Sequence, residues 1–332
     1  MIENVDIVVG LAWGDEGKGK VTSSLIKDNN YSFVCRWAGG SNAGHTVYID
    51  NIKYKTHIIP SGIFGGIPSI IGPGCVVNKT KLYKELEYLN NNNFHIDLVK
   101  VSPRAHIVSE KHIDLDKLTY AKQLGTTSNG IAPCYADKAA RTGIRAMDVL
   151  PKKLLWDEEL SGNILCEGAQ GVWLDLDWGN YPYVTSSTTL PHGACSLGFP
   201  VQNIKTIYGV AKIYDTRSGI DPLFPEVLLK DPHLATLAHL GEEIGVTTGR
   251  RRKVQWLNLD MLINSINLTG TTDLIINKCD VIEKLNVYKL IYSSHIAQFD
   301  SMSSMTSFLE ARITENCSLL NTIIYSRSPL DI

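Results

Sequence analysis

The chain has 332 residues, 44% of them hydrophobic and 20% charged, which supplies a sizeable core and excludes a disordered protein. A formal net charge of −2 excludes a global positive field that would gather nucleic acid or an anionic membrane, so any anion site must be built locally. Apolar runs stay far below the roughly 20 residues of a membrane-spanning helix, and Met1-Ile2-Glu3 leads straight into a strand with no export signal in view.

Residues 5–11 read as a buried strand, followed by a glycine-rich turn and a helix over 20–27. Further strands are expected at 31–36, 46–49, 69–71, 99–102, 164–167, 205–213 and 274–276, and helices at 80–90 and 256–267. Residues 90–93 and 301–304 read as small polar turns rather than linkers, and no internal repeat is visible. This alternation predicts an α/β fold: a central, mostly parallel sheet flanked by helices, with a P-loop-like glycine turn after the first strand, in a single domain over 1–332. The cysteines, Cys35, Cys75, Cys134, Cys166, Cys195, Cys279 and Cys317, are odd in number and lack a CxxC pair. Free thiols in a reducing, cytoplasmic setting fit that spacing better than a disulfide or zinc framework.

Six segments carry chemistry. In residues 9–20 (VGLAWGDEGKGK) a strand runs into glycines that let backbone N–H groups crowd an anion, and Asp15 adds an acid that mere phosphate grip does not need. The segment fits GxxxxGK, but Val21 stands where a P-loop NTPase needs a hydroxyl for magnesium. Residues 39–46 (GGSNAGHT) supply one imidazole, His45, able to act near neutral pH. Residues 125–133, backed by Arg141 and Arg145, offer hydroxyls and N–H groups suited to a monophosphate. Residues 167–171 (EGAQG) and 181–187 (YPYVTSS) hold an amide and hydroxyls that can read a purine edge. In residues 246–253 (VTTGRRRK) the arginine forks suit a carboxylate clamp, and in Asn277-Lys278-Cys279-Asp280 the carboxylate suits guanine N1–H and its 2-amino group. Each segment alone also describes an ordinary turn, helix cap or solvated face.

Together and in this order the segments resemble the adenylosuccinate synthetase family, in a short form like those of archaea and phages. The resemblance implies a ligase that joins L-aspartate to C6 of IMP through a 6-phosphoryl intermediate driven by GTP hydrolysis, with Mg2+ bound. It implies Asp15 as general base and magnesium ligand, His45 and Lys18 as stabilisers of the moving phosphoryl group, and Gln170 beside the reacting oxygen. Gly14, Glu16, Gly17, Gly19, Lys20, Gly44 and Thr46 would complete the phosphate and magnesium cradle, the Gly44 carbonyl acting as a metal ligand. Asn42, Thr127 and Thr185 would surround the acceptor's phosphate, with Arg141 reaching it from the other subunit of a homodimer. Thr247, Thr248, Arg250 and Arg252 would hold aspartate, while Lys278, Asp280 and Ser326 would hold the donor nucleotide.

Departures from the family pattern are specific. Residues 151–163 alone separate the Arg145 region from EGAQG; Ser41 replaces a histidine of GGHNAGHT, and Asn129 an arginine or similarly polar residue after GTTG. TRSGIDP at 216–222 replaces TRVGAGP, and Asp221 there would accept a bond from a 2-amino group. A second reading is therefore a phage-type, dGMP-specific 2-aminoadenylosuccinate synthetase using ATP or GTP. The tail at 323–329 also departs from STGPDR and leaves GTP and ATP both open as donors. A guanine-nucleotide-binding switch is a third reading, weakened by Val21, by the lack of a DxxG motif and by TTGRRR, which has no role there.

Overall fold

Val5, Ile7, Val8 and Val9 of the strand Ile2–Gly10 are inaccessible to solvent, as a strand covered on both faces requires. In the computed structural model, which describes residues 1–245, 249, 251–330 and 332, this strand lies inside an eight-stranded sheet. The order across the sheet is Thr322–Tyr325, Asp273–Asn277, Ile204–Lys212, Ile2–Gly10, Gly162–Glu167, Phe33–Arg36, Ser69–Ile71 and Val99–Val101. Every neighbouring pair is parallel.

Side chains alternate between the two faces of the sheet. Ile7, Val9, Cys166, Ala211 and Ile276 pack with Leu259, Leu262 and Ile266 of the helix Leu259–Thr269. Val8, Leu165, Val210 and Ile275 instead cluster with Val21 and Ile26 of the helix Lys18–Asp28. The chain builds out from the first strand to one side through Phe33–Arg36 and Ser69–Ile71, and later to the other through Ile204–Lys212 and Asp273–Asn277. That order makes the carboxyl end of the first strand the switch point at which open α/β sheets bind ligands. A second, mixed sheet of Tyr214–Arg217, Lys253–Asn258, Tyr288–Tyr292 and His295–Phe299 packs beside it. Among the described residues no helix is long and apolar enough to cross a membrane.

Some local expectations are corrected. The helix expected over 256–267 begins only at Leu259, because the alternation that buries Val254 and Trp256 belongs to the strand Lys253–Asn258. Asn258 marks the boundary by capping the helix, its side chain accepting from Met261 N at 3.1 Å. Residues 46–49 form the hairpin His45–Ile49 with Ile52–Thr56 outside the central sheet. Ser301, expected in a turn, instead caps the helix Met302–Asn316 through Ser304 N at 3.1 Å. The asparagine run at 90–93 is partly helical, since Lys79–Asn91 continues into it.

Candidate active site

The first strand ends in a turn whose Gly17, at φ +99°, caps the helix Lys18–Asp28 with no side-chain bond. That left-handed backbone favours glycine, and the uncapped N–H groups of the first helical turn make an anion site. Glu16, only 1% exposed, shapes the loop from within. Its carboxylate accepts from Gly14 N at 2.7 Å, Ala12 N at 3.2 Å and the Lys18 ammonium at 2.5 Å. The EGAQG turn docks directly on this loop: a Cβ on Gly171 would stand 2.3 Å from the Ala12 carbonyl oxygen and 2.4 Å from Glu16 Oε1.

His45 is buried at the start of its hairpin and packs over the same loop, its Cβ lying 2.8 Å from where a Cβ on Gly19 would be. Its Nδ1 faces the buried carboxylate of Glu167, which also accepts from Ser61 N at 2.7 Å and Ser61 Oγ at 3.2 Å. Burial, followed by the charges of Arg36 and Lys18, holds the His45 pKa well below the usual imidazole range. Burial thus favours the neutral ring, whose Nδ1 edge faces Glu167.

The same cavity meets a chain of charged groups centred on the buried Glu243. Arg252 Nε meets Asp15 Oδ2 at 2.8 Å, and its Nη1 donates to Glu243 Oε2 at 2.6 Å. Glu243, 2% exposed, also pairs with Lys212 at 3.2 Å and accepts from the Tyr214 hydroxyl at 2.7 Å. Burial alone would raise the Glu243 carboxyl, but Lys212 and Arg252 outweigh it and bring its pKa down to about 2. Burial lowers the Lys212 ammonium, with Glu243 opposing. Asp15, Gln170 and Lys278 are all non-glycine residues at positive φ (62°, 58° and 67°) in turns near the ends of sheet strands, the kind of strain that clusters at functional sites.

One cavity of about 560 Å³ gathers these groups, a volume typical of ligand sites. Of the residues singled out from the sequence, Gly14, Asp15, Glu16, Gly17, Lys18, Gly19, Lys20, Asn42, Gly44, His45, Thr46, Thr127, Gln170, Thr185, Arg252, Lys278 and Asp280 all line it. Gln170 Oε1 is buried with no hydrogen-bond partner among the described residues. Some of these side chains are also engaged elsewhere, and a few of the predicted residues lie off the cavity. Lys20 reaches Asn277 Oδ1 at 2.9 Å, Ser328 O at 2.7 Å and Ser326 Oγ, so it ties the C-terminal segment to the loop. Ser326 is 1% exposed and belongs to that tie. Lys278 donates to Gly241 O at 2.9 Å. Arg141 is solvent-exposed at the end of the helix Ile131–Ala140, and Thr247, Thr248 and Arg250 lie outside the described residues.

Asp221 overturns its expectation. It is 2% exposed, and its carboxylate already accepts from Asn180 at 3.0 Å, Leu223 N at 3.0 Å and Arg217 Nε at 3.3 Å. It braces the 216–222 turn rather than facing a base. Sequence reasoning assigned no role to Glu167, Lys212 and Glu243. The first was visible as the acid opening EGAQG and the last as the acid just before VTTGRRR; Lys212 carried no signal beyond its place at a strand end.

A glycine turn at the switch point of a parallel sheet, an imidazole and a carboxylate lining one cavity, and an arginine clamp define a nucleotide-dependent enzyme. The profile of the adenylosuccinate synthetase family matches residues 7–161 and 153–310. The adenylosuccinate synthetase of Enterococcus faecalis is 37% identical over 86% of this chain and 79% of its own length. That of Borrelia turicatae is 35% identical over 85% and 78%. Among solved structures, the fully ligated adenylosuccinate synthetase of Plasmodium falciparum superposes with TM-score 0.84 at 26% identity, covering 98% of each chain. The succinoaminodeoxyadenylate synthetase of cyanophage S-2L, bound to dGMP and dATP, shares the fold with TM-score 0.74 at 18% identity, over 99% of this chain and 94% of that one. The chain belongs to the adenylosuccinate synthetase family, whose members are ligases that form a C–N bond.

Proposed function

We propose that the protein joins L-aspartate to C6 of IMP at the expense of GTP. The observation that carries this reading is the convergence of Asp15, His45, Gln170 and Arg252 on one cavity beside the uncapped turn at Gly17. Asp15 takes the N1 proton of the purine, which makes O6 a nucleophile toward the γ-phosphorus of the donor. Lys18 and the loop N–H groups neutralise the moving phosphoryl group. His45, oriented by Glu167, contributes from the other side, because a triphosphate's charge favours the protonated ring. The amine of aspartate, its carboxylate held by Arg252, then displaces phosphate from C6.

Magnesium suits this site by its donor set. Asp15 and the Gly44 carbonyl give the one or two hard oxygens that Mg2+ takes from protein when phosphates supply others. Such an ion supplies charge neutralisation on the phosphate oxygens. Among the described residues no cluster of His, Cys, Asp or Glu competes as a metal site.

In this reading the acceptor's phosphate falls to Asn42, Thr127 and Thr185, which line the cavity, and Arg141, exposed on this chain, serves the second subunit of a homodimer. Thr247, Thr248 and Arg250 join Arg252 around aspartate in this reading, and Lys278 and Asp280 read the donor base. We take the chain as a single domain over 1–332, since the central sheet draws strands from Ile2 to Tyr325. The thiols, all free among the described residues, suit the cytoplasm. IMP is preferred over dGMP because the Asp221 carboxylate is already engaged.

The test is a matrix of IMP or dGMP against GTP or ATP, with and without aspartate, on wild type and Asp15→Asn. Adenylosuccinate formation from IMP, GTP and aspartate, reduced about 10³-fold by Asp15→Asn, supports the reading. Triphosphate hydrolysis indifferent to aspartate, or turnover of dGMP in preference to IMP, overturns it.

A further inference from the structure

Two of the positions at which this sequence departs from the family pattern, Ser41 and Asn129, touch each other. Asn129 is 4% exposed, and its Nδ2 donates to the Ser41 carbonyl at 3.3 Å. Its Oδ1 accepts from the ammonium of Lys81, which comes from the first turn of the helix Lys79–Asn91 and stands behind the loop rather than on the cavity wall. The rest of the 125–130 loop is pinned by Asp116, whose carboxylate accepts from Thr126 Oγ1 at 2.6 Å and Gly130 N at 2.8 Å. Thr127 lies between these anchors, and Asn42 follows Ser41 directly.

A primary amide can be turned end for end, and only its partners choose the orientation. An ammonium on Oδ1 makes the choice here, because the reversed amide would set two NH₂ donors against a cation and leave the Ser41 carbonyl unpaired. Where the family pattern has arginine at 129, the cation belongs to the loop itself; in this chain it arrives from position 81.

We propose that Lys81, acting through Asn129, is a positioning residue that fixes the separation of Asn42 and Thr127 and thereby the grip on the 5′-phosphate of the acceptor nucleotide. The proposal rests on the reading of those two residues given above. Lys81→Met removes the ammonium and keeps the stem; Asn129→Asp keeps an acceptor for Lys81 but abolishes the donor to Ser41.

Steady-state kinetics on the full-length enzyme, with calorimetric binding of IMP, separate the outcomes. Both variants should raise the KM and Kd for IMP about tenfold, with kcat within about twofold and the KM values for GTP and aspartate unchanged. Lys81→Arg should restore the IMP constants to within about threefold. The double variant should be no worse than either single one, since both break the same connection. Unchanged IMP constants in Lys81→Met, wild-type behaviour of Asn129→Asp, or a joint loss of kcat and all three KM values with a lowered melting temperature overturns the proposal. A wild-type protein that binds no IMP overturns the functional reading and takes this proposal with it; normal turnover by wild type with unaltered variants overturns this proposal alone.

Discussion

Glu243 bridges Lys212 and Arg252 in the buried network, and replacing it with glutamine tests how much of the site's order is electrostatic. Glutamine keeps the size and one carbonyl acceptor for Tyr214 but leaves Lys212 without its paired carboxylate and Arg252 with Asp15 alone. The carboxyl falls from its usual 4.5 to about 2 in the folded protein, and at about 1.4 kcal/mol per tenfold this corresponds to roughly 3 kcal/mol of stability at pH 7. Mutational experience with one-sided removal of a buried ion pair, about 3–5 kcal/mol, gives the same scale. The sign follows from which state binds the proton first. As pH falls, the unfolded carboxyl protonates near 4.5 and the folded one only near 2, so the contribution is full at neutral pH and lost between those values. By pH 3 about 1.4 kcal/mol of it remains. Glu243→Gln should therefore be less stable than wild type by about 3 kcal/mol in urea at pH 7, near 4 °C in Tm for a chain of this size. The gap should shrink by more than half at pH 3. Tryptophan fluorescence reads the transition, since Trp256 is buried in the strand paired with Tyr214. A deficit under about 1 kcal/mol at pH 7, or one equally large at pH 3, refutes the charge argument.

Asp215 has the opposite sign: burial raises its carboxyl to about 7, so stability is present below the unfolded value near 4 and lost as pH rises to 7. Asp215→Asn should remove that slope, gaining up to about 4 kcal/mol on wild type between pH 4 and pH 8 in urea titrations at each pH. Gly171→Ala places a Cβ 2.3 Å from the Ala12 carbonyl oxygen; it should cost about 1–3 kcal/mol in denaturant unfolding and lower kcat/KM about 100-fold by moving the phosphate loop. His45→Gln should lower kcat by about 10²–10⁴ in single-turnover assays with little change in the KM for IMP, and an equal rise in that KM would recast His45 as a binding residue.

The strand, glycine turn and helix at the start of the chain were legible because each uses a local rule: an apolar run, a left-handed position and an amphipathic follow-on. The parallel sheet followed from strands alternating with helices. The boundary near Trp256 was not legible because buried apolar residues lie on both sides of it, Val254, Trp256 and Leu257 in the strand and Leu259 and Leu262 in the helix, although Asn258 carried the capping signal. Partnerships across the chain were not legible. Glu167, at the end of its sheet strand, becomes the orienting group of His45 only because the fold brings the start of a separate hairpin against it, and Asp221 reads as a base contact or a brace until its three donors are known.

The phosphate loop shows why spelling and chemistry diverge. In GxxxxGK the lysine that would grip phosphate is Lys20, followed by a hydroxyl residue for magnesium. Here Lys20 is turned to Asn277 and the C-terminal segment, and Val21 is fully buried in a cluster with Val8, Val34 and Leu165. A hydroxyl at that position would enter the core rather than the cavity. Lys18 lies on the cavity side instead, fastened by Glu16 within the loop. The same glycine turn therefore serves a different charge arrangement, in which Asp15 occupies a left-handed position beside the arginine clamp. A guanine-nucleotide switch has no use for that acid, whereas a reaction that must remove a purine proton before phosphoryl transfer requires one there.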